Sequence, residues 1–291
     1  MLSKEQIEEQ LTTEWAARNL IFLNETGSTN DDAKKLGEEG APHGTLVVAD
    51  KQNTGRGSRG RSWETTGGTN IAMSLLLRPK APLERISMLT LVMGLSVAEG
   101  IEEAMAMTGD RALSNSTRWD FQREILTQTK HYPQIKWPND IVIADRKICG
   151  ILTELHMDSD NKTINNVVIG VGINVNTIEF SEEIKDIAGS IYSTTGMMVD
   201  RALVIACCMK RFEINYQEYS RSFDLSTLRD EYERRLINLE RLVKVLDPKG
   251  EYEAITHGIN KFGALIVSDE EGEEYEINAG EVSVRGLYSY T

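Results

Sequence analysis

Four strand-like segments follow one another between residues 135 and 175, and only turn-length links separate them. The segments are rich in β-branched and other apolar residues, and the links are rich in Pro, Asn and Asp. The segments read IKW, IVIA, KICGILTEL and NVVIGVGINV, and the links read PND, DR and DSDNK. Parallel strands require crossovers of about a dozen residues or more, so these links permit antiparallel pairing only. The sequence therefore predicts an antiparallel sheet rather than βαβ units.

Helices and further strands surround this run, and apolar periodicity with turn residues predicts each of them. Five helices are predicted: one within residues 1–20, one from Ser28 and Thr29 to just before Gly40, and others over 82–107, about 199–220 and about 226–238. Two strands are predicted at 45–49 and 70–77. Residues 109–132 are polar and follow no pattern, which predicts an excursion from the core.

The pattern changes after Leu242, where short strands alternate with turns that contain Gly or Pro. Such spacing is typical of a small β-barrel. A chain of 291 residues has room for one large and one small domain. We therefore predict a large domain over residues 1–238 and a small barrel domain over residues 239–291.

Composition excludes several function classes. The net charge of −13 argues against a basic nucleic-acid-binding face and against a polybasic membrane anchor. The longest uncharged apolar run, residues 86–98, is shorter than the ~18 residues of a membrane span, and the first ten residues do not resemble a signal peptide. Cys149, Cys207 and Cys208 form no C-x-x-C motif, which predicts buried thiols in a reducing compartment. We expect a cytoplasmic protein that binds neither nucleic acid nor membrane.

The sequence GRGSRGR, residues 55–61, gathers three arginines in this acidic chain. Its glycines match G-x-G-x-x-G, but a dinucleotide site needs a helix directly after the loop, and SWETTGGTN and a strand follow here. No Gly-Lys pair of a P-loop and no kinase HRD or DFG motif occurs. Glycines let the backbone approach an anion, and arginines bind phosphate or carboxylate. We expect a loop that closes over an anion, with a solvated flexible loop as the alternative.

Three further motifs carry candidate functional residues, each with a structural alternative. KWPND, residues 136–140, places Lys136 and Asp140 around a turn whose Asn and Asp also have local turn propensity. Lys147 begins an otherwise apolar strand, where it is either an edge charge or a group that reaches into a cavity. Gly170 and Gly172 lie within a strand, which indicates a bulge or a close approach to the backbone.

Together these motifs resemble those of the biotin–protein ligases in order and approximate spacing. They are GSTN (27–30), QNTGRGSRGRSW (52–63), KWPND (136–140), RKICGIL (146–152), GVGINVN (170–176) and SVR (283–285). The resemblance covers residues from about 21 to 286, and 109–132 looks like an insertion. It implies an α+β fold, related to class II aminoacyl-tRNA synthetases, with a central mixed, largely antiparallel sheet flanked by helices and a small C-terminal β-barrel. Too few residues precede Ser28 for a winged helix-turn-helix, so we expect the monofunctional type without a DNA-binding domain.

The resemblance implies a reaction in two steps. Biotin and ATP, with Mg²⁺, give biotinyl-AMP and pyrophosphate, and a lysine of a biotin carboxyl carrier protein then accepts the biotinyl group. The metal ligands are unknown, and a monomer and a homodimer both stay open. Both steps develop negative charge, so the site needs preorganised cations and no covalent nucleophile.

The resemblance also implies roles for individual residues. Lys147 is expected to bridge the biotin carboxyl group and the α-phosphate as the principal catalytic residue, and Arg56 to lie over the same two groups. Asp140 either orients the acceptor lysine, helps to hold Mg²⁺, or is a structural turn residue. The biotin-binding set is Ser28, Thr29, Asn30, Gln52, Arg56, Gly57, Ser58, Lys147 and Gly150, and the nucleotide-binding set is Arg61, Trp63, Lys136, Asn139, Asn174 and Arg285.

One position departs from the family pattern. Many relatives have a basic residue where this loop has Ser58, so we expect looser retention of biotinyl-AMP. The alternatives are a lipoate–protein ligase, which shares the fold and chemistry, and a non-catalytic biotin or adenylate sensor. A hydrolase finds no support, because there is no G-x-S-x-G motif and the four histidines lack metal-ligand or nucleophile spacing.

Overall fold

The computed structural model describes residues 2–63, 65, 67–112, 131–158, 163–247, 250–279, 283–286 and 290–291. A seven-stranded sheet is its centre, with the strand order β1-β2-β3-β7-β6-β5-β4. The strands are β1 (Leu20–Thr26), β2 (Thr45–Gln52), β3 (Ile71–Leu77), β4 (Gln134–Lys136), β5 (Asp140–Ile143), β6 (Arg146–Met157) and β7 (Ile164–Ile173). β1 and β2 pair in parallel, and every other neighbouring pair is antiparallel. The predicted α+β class and the largely antiparallel mixed sheet are confirmed.

Helices cover both faces of this sheet. They are α1 (Lys4–Gln10), α2 (Thr29–Glu38), α3 (Met88–Ala112), α4 (Ile191–Thr195), α5 (Arg201–Ser222) and α6 (Arg229–Arg235). The apolar helix α3 packs along α5 and against β6, and this layer forms most of the core. On the other face α2 packs against β2, β3 and β7 through a smaller apolar cluster that includes Ala33 and Val168. The beginning of α2 is thereby fixed beside the ends of these strands.

A second sheet has five antiparallel strands in the order β11-β10-β9-β8-β12. They are β8 (Leu242–Asp247), β9 (Gly250–Ile259), β10 (Leu265–Ser268), β11 (Glu274–Ile277) and β12 (Ser283–Gly286). Within the described ranges, no ladder joins the edge strands β11 and β12, so the sheet is open where the sequence predicted a closed barrel. The division into domains at residues 238 and 239 stays a prediction.

The first twenty residues differ from the prediction of one amphipathic helix. Helix α1 ends at Gln10, and Leu20 already begins β1. Between them, the side chain of Glu213 from α5 accepts hydrogen bonds from the backbone N–H groups of residues 14, 15 and 16, each at 2.8 Å. These amides are therefore satisfied by a carboxylate about 200 residues away rather than by a helix, a partner that no local pattern reveals.

Other differences are smaller. The long helix begins at Met88, after a 3₁₀ turn at Leu83–Arg85, and it runs to Ala112, so residues 109–112 belong to it. The remainder of the predicted insertion lies outside the described residues. Helix α4 was not predicted, although Ser190 forms a capping box with Ser193 at its N-terminus.

The cysteines and the helices bear on two further predictions. All three cysteines are buried and free, as predicted. Across the ranges that the structure describes, none of the helices is both long and apolar enough to span a bilayer. The cytoplasmic location stays a prediction.

Replacing Glu213 with Ala should destabilise the fold by about 3 kcal/mol, because it leaves backbone N–H groups that are wholly or partly buried without their charged acceptor. Chemical denaturation measures the loss. Glu218→Ala is the matched control, since that carboxylate pairs with Arg221 on the surface of the same helix and its loss should cost less than about 0.5 kcal/mol. Equal midpoints for the two variants would contradict the role given to Glu213.

Candidate functional site

The predicted biotin residues line one cavity, which we call the inner cavity. It lies where the start of α2, the end of β2 and the loop after β2 meet the face of β6 and β7. Its polar lining contains Ser28, Thr29, Asn30, Gln52, Arg56, Gly57, Ser58, Lys147 and Gly150. Its apolar lining contains Ala72, Met73, Ile151, Leu152 and Val171. The cavity thus combines an apolar wall with polar and cationic groups, which suits a ligand with an aliphatic part and an acid group.

Hydrogen bonds fix the polar end of the inner cavity. The side-chain oxygen of Gln52 accepts from the Thr29 backbone N–H at 2.9 Å and from the Thr29 hydroxyl at 3.2 Å. The Ser74 hydroxyl on β3 lies 2.6 Å from Asn30 Oδ1, and Asn30 Nδ2 donates to Glu154 at 2.6 Å. Ser28 is the N-cap of α2, but its side chain makes no capping hydrogen bond. Its hydroxyl is therefore available to the cavity that it lines.

Glycines on β7 let two side chains lie directly on the sheet. A Cβ atom on Gly170 would overlap Asn30 Oδ1, and a Cβ atom on Gly172 would overlap Trp63 Nε1. Trp63 Nε1 is buried and has no hydrogen-bond partner among the described residues. A buried indole N–H is a donor that requires an acceptor, which a ligand group or a water molecule at the site would supply.

The Gly-Arg loop forms a tight hairpin. The Gly57 N–H donates to the Arg61 carbonyl at 2.7 Å, and the Trp63 N–H donates to the Gly55 carbonyl at 2.9 Å. A 3₁₀ turn over Ser58–Gly60 forms its tip. The hairpin therefore places Ser58 and Arg61 over the opening of the site.

Arg56 extends from this hairpin to two carboxylates. Its guanidinium donates to both oxygens of Asp31, at 2.9 and 2.6 Å, and lies 3.7 Å from Glu154. Hydrogen bonding from Arg56 holds the pKa of Asp31 below its ordinary value, and the same contact raises the pKa of Arg56. The side chains of Arg56 and Asp31 are 45% and 57% exposed, so the pair contributes only about 0–1 kcal/mol. A ligand carboxylate or phosphate can exchange with Asp31 at low cost.

Lys147 owes its position to an irregular hairpin. Ala144 and Asp145 both have positive φ angles, as in a type I′ turn between β5 and β6. Ile141 pairs with Cys149, but Val142 pairs with Lys147, so β6 carries one extra residue at this point. Such bulges re-aim side chains.

The Lys147 ammonium meets a carboxylate at the cavity. Its Nζ lies 2.6 Å from Asp140 Oδ1. A Cβ atom on Gly150 would lie 3.3 Å from the same Nζ, so the lysine side chain passes close over the glycine. Two of the three predicted catalytic residues, Lys147 and Asp140, are therefore in contact, and the third, Arg56, lines the inner cavity together with Lys147.

A second cavity, the outer cavity, adjoins the inner one. Arg61, Trp63, Lys147 and Asn174 line it together with eight residues of the segment 177–188. Asn174 is buried and its side chain donates to the Gly189 carbonyl at 3.1 Å, which fixes the segment before α4. Trp63 lines both cavities, so its side chain lies at the boundary between them.

A wide cleft runs between the large sheet and the small sheet and contains Lys136, Asn139, Asp140, Arg61 and Arg285. Burial lowers the pKa of Lys136 to about 8, and the carboxylate of Asp140 opposes the shift. Nearby cations, among them Arg285 and Arg61, add to the lowering. This concentration of positive charge suits a polyanion.

The two predicted sets behave differently. The biotin set converges on the inner cavity, whereas the nucleotide set divides between the outer cavity and the cleft. Asn139 does not line the outer cavity with Asn174. Its side chain donates to the Ile151 carbonyl at 2.9 Å, and it lines the inner cavity and the cleft instead. The roles assigned to these residues stay predictions.

Several site residues were not predicted. They are Asp31, Ser74, Glu154 and Tyr290. Asp31 has a local explanation in the first turn of a helix, and the others follow no motif. In the described part of the chain, no three His, Cys, Asp or Glu side chains cluster to hold a metal ion. The predicted Mg²⁺ therefore belongs to the proposal, as the counter-ion of the nucleotide.

Comparison with known proteins identifies relatives along more than nine-tenths of the chain. The profile of the Biotin/lipoate A/B protein ligase family matches residues 23–174, and that of the Biotin protein ligase C terminal domain matches residues 239–285. The Bifunctional ligase/repressor BirA of Bacillus subtilis (strain 168) is 35% identical over 93% of this chain and 76% of its own length. The Biotin--[acetyl-CoA-carboxylase] ligase of Mycobacterium tuberculosis is 26% identical over 91% of this chain and 88% of its own.

The fold is similar to that of solved structures as well. Biotin protein ligase from Aquifex aeolicus, in complex with biotin and ATP, superposes with a TM-score of 0.73 at 32% identity. The match covers 92% of this chain and 99% of the Aquifex chain.

Gly170→Ala should weaken biotin binding at least about tenfold, because the new Cβ displaces Asn30 from the polar end of the inner cavity. Calorimetric titration with biotin measures the change. Gly94→Ala in α3 is the matched control, since nothing lies nearer than 3.8 Å to its new Cβ, and its affinity should equal that of the unchanged protein. Unchanged affinity in Gly170→Ala would show that Asn30 does not shape the binding site.

Proposed function

Because this chain belongs to the biotin/lipoate A/B protein ligase family, we propose that it activates biotin with ATP and transfers the biotinyl group to a lysine of a biotin carboxyl carrier protein. The observation that supports this proposal is the convergence of residues from distant motifs on one cavity that ends at Lys147. The curated relatives named as biotin ligases, and the Aquifex structure with biotin and ATP, agree with it.

In the first step, a biotin carboxylate oxygen attacks the α-phosphorus of ATP, and the bond to the pyrophosphate oxygen breaks. The carboxylate enters beside Lys147 at the end of the inner cavity that Arg56 also lines. Both cations stabilise the charge that develops on the phosphate, and Arg56 exchanges Asp31 for the substrate. Ser28, Thr29 and Gln52 hold the ureido end.

The nucleoside occupies the outer cavity beside Trp63 and Asn174. The pyrophosphate and its Mg²⁺ extend into the cleft toward Lys136, Arg61 and Arg285, where the positive charge is concentrated. This arrangement gives each part of the nucleotide a surface of matching chemistry.

In the second step, the neutral amine of the acceptor lysine attacks the acyl carbon, the bond to the AMP oxygen breaks, and the amine loses a proton. The loop over residues 55–63 covers the anhydride and limits hydrolysis. Asp140 orients Lys147, which holds the acyl phosphate during the attack.

Two alternatives are weighed against this proposal. A lipoate–protein ligase belongs to the same family, but the match of residues 239–285 to the Biotin protein ligase C terminal domain favours biotin. A sensor that only binds its ligand does not need a lysine that pairs with a carboxylate at the end of the cavity. Lys147 is such a lysine, which argues against the sensor.

Pyrophosphate release from the purified protein with MgATP tests the first step, with biotin, lipoate and no acid compared. Biotin-dependent release should occur, and Lys147→Ala should lower it at least about 100-fold, because a preorganised charge at the reacting atoms is lost. Lys4→Ala is the matched control, since Lys4 forms an exposed ion pair with Glu8 on α1, outside the cavities and the cleft, and its loss should leave the rate unchanged. Biotin binding without release would favour the sensor, and release with lipoate alone would favour the sister activity.

Ser58→Arg should reduce the labelling of proteins that are not carriers about tenfold, because residue 58 borders the inner cavity, the outer cavity and the cleft. A guanidinium at that junction adds a charge-assisted hydrogen bond to the acyl phosphate, worth about 1.5–3 kcal/mol. The measurement is a biotin blot of an unrelated protein incubated with enzyme, biotin and ATP. Ser87→Arg in the cleft is the control. Equal labelling by Ser58→Arg and the unchanged enzyme would contradict looser retention of biotinyl-AMP.

A further inference from the structure

Tyr290 returns to the cleft after the last strand of the small sheet. Its ring centroid lies 3.3 Å from Lys136 Nζ, and its hydroxyl donates a hydrogen bond to Asp140 Oδ2. The next residue, Thr291, is buried and donates to Asp145 Oδ1 at 3.0 Å. Tyr290 borders both the cleft and the outer cavity, so it lies where the two meet.

The two partners of Tyr290 belong to one hairpin. Lys136 and Asp140 are cross-strand partners at the ends of β4 and β5, and both are buried. Asp140 has one oxygen in an ion pair with Lys147 Nζ, at 2.6 Å but without hydrogen-bond alignment, and the other at the phenol. A carboxylate with both oxygens engaged is fixed in rotation, and it fixes the ammonium group that it contacts.

The aromatic ring of Tyr290 acts on Lys136 rather than on Asp140. A buried ammonium requires partners that replace water. The carboxylate of Asp140 favours the charged form of Lys136 but also pairs with Lys147, and the positive charges of Lys147, Arg61 and Arg285 disfavour it. A second carboxylate would stabilise Lys136 but would cancel the positive charge of the cleft. The negative face of an aromatic ring stabilises the ammonium and carries no net charge. The cleft therefore stays cationic toward the phosphates of a nucleotide.

We propose that Tyr290 is a positioning residue for this reaction: its hydroxyl fixes Asp140 and thereby Lys147, and its ring holds Lys136 without neutralising the cleft. The inference rests on the proposed function and deepens it, since none of the motifs of the sequence contains Tyr290. Its side chain acts through the lysines and the carboxylate rather than on the reacting atoms.

Two variants separate the hydroxyl from the ring. Tyr290→Phe keeps the ring and should lower the maximal rate of biotin-dependent pyrophosphate release about tenfold, the effect of losing one hydrogen bond to a charged group, with the KM for MgATP unchanged. Tyr290→Leu loses both contacts and should also raise the KM for MgATP. Tyr232→Phe is the matched control, because the Tyr232 hydroxyl is buried without a partner in the described part of the chain, and its kinetics should equal those of the unchanged enzyme.

A second readout does not depend on activity. The acetylation rate of Lys136 by a small anhydride, mapped on peptides, should rise about tenfold in Tyr290→Leu and stay unchanged in Tyr290→Phe, because the ring covers the amine. Absence of biotin-dependent release in the unchanged protein overturns the proposed function. Equal Lys136 acetylation in all three proteins overturns the inference by itself. Unchanged kinetics in Tyr290→Phe, or a lower KM for MgATP in Tyr290→Leu, also overturns it, since the residue would then be inert or an obstacle.

Discussion

Holding several cations on one face of a sheet is the constraint on which the rest of this site depends. The chain as a whole is acidic, with a net charge of −13, yet arginines and lysines converge on the inner cavity and the cleft. Cations that are close together and partly buried repel each other, and this repulsion must be balanced by a nearby carboxylate or other electron-rich group. The partners present are Asp31 and Glu154 for Arg56, Asp140 for Lys147, and an aromatic ring for Lys136. The surrounding fold supplies each of these partners from a different element.

The fold was predictable where short links restricted the topology and was not where distant residues decided it. The links between β4 and β7 allow antiparallel pairing only, and that part of the sheet is as expected. β1 was missed although Gly27 and Ser28 follow it directly, and its partner β2 is separated from it by helix α2, so no short link restricts their pairing. The predicted helix over residues 1–20 fails for a similar reason, since Glu213 binds the backbone there.

The site shows the same division. Motif residues such as Gln52 and Lys147 were found because the motifs that contain them resemble those of a known family. Asp31 and Glu154 were missed because a charge in the first turn of a helix, or on a strand, has an ordinary local explanation. Tyr290 was missed because its importance lies in contacts with residues 150 or more positions earlier, Asp140 and Lys136. Sequence motifs thus identify groups that meet a ligand better than the groups that hold them.

The two cations of the inner cavity, Arg56 and Lys147, differ in how strongly burial holds them in their ion pairs. Arg56 pairs with Asp31 on the surface, where breaking the pair costs about 0–1 kcal/mol. Lys147 pairs with Asp140, and the two side chains are 20% and 11% exposed, so this pair is far less solvated than that of Arg56 and costs more to break. A substrate anion can therefore draw Arg56 away from its partner, whereas Lys147 keeps its place while the anion arrives. Under the proposed function, a loop arginine that exchanges its partner and a lysine that keeps its partner would combine closure over the substrate with a constant geometry at the reacting atoms.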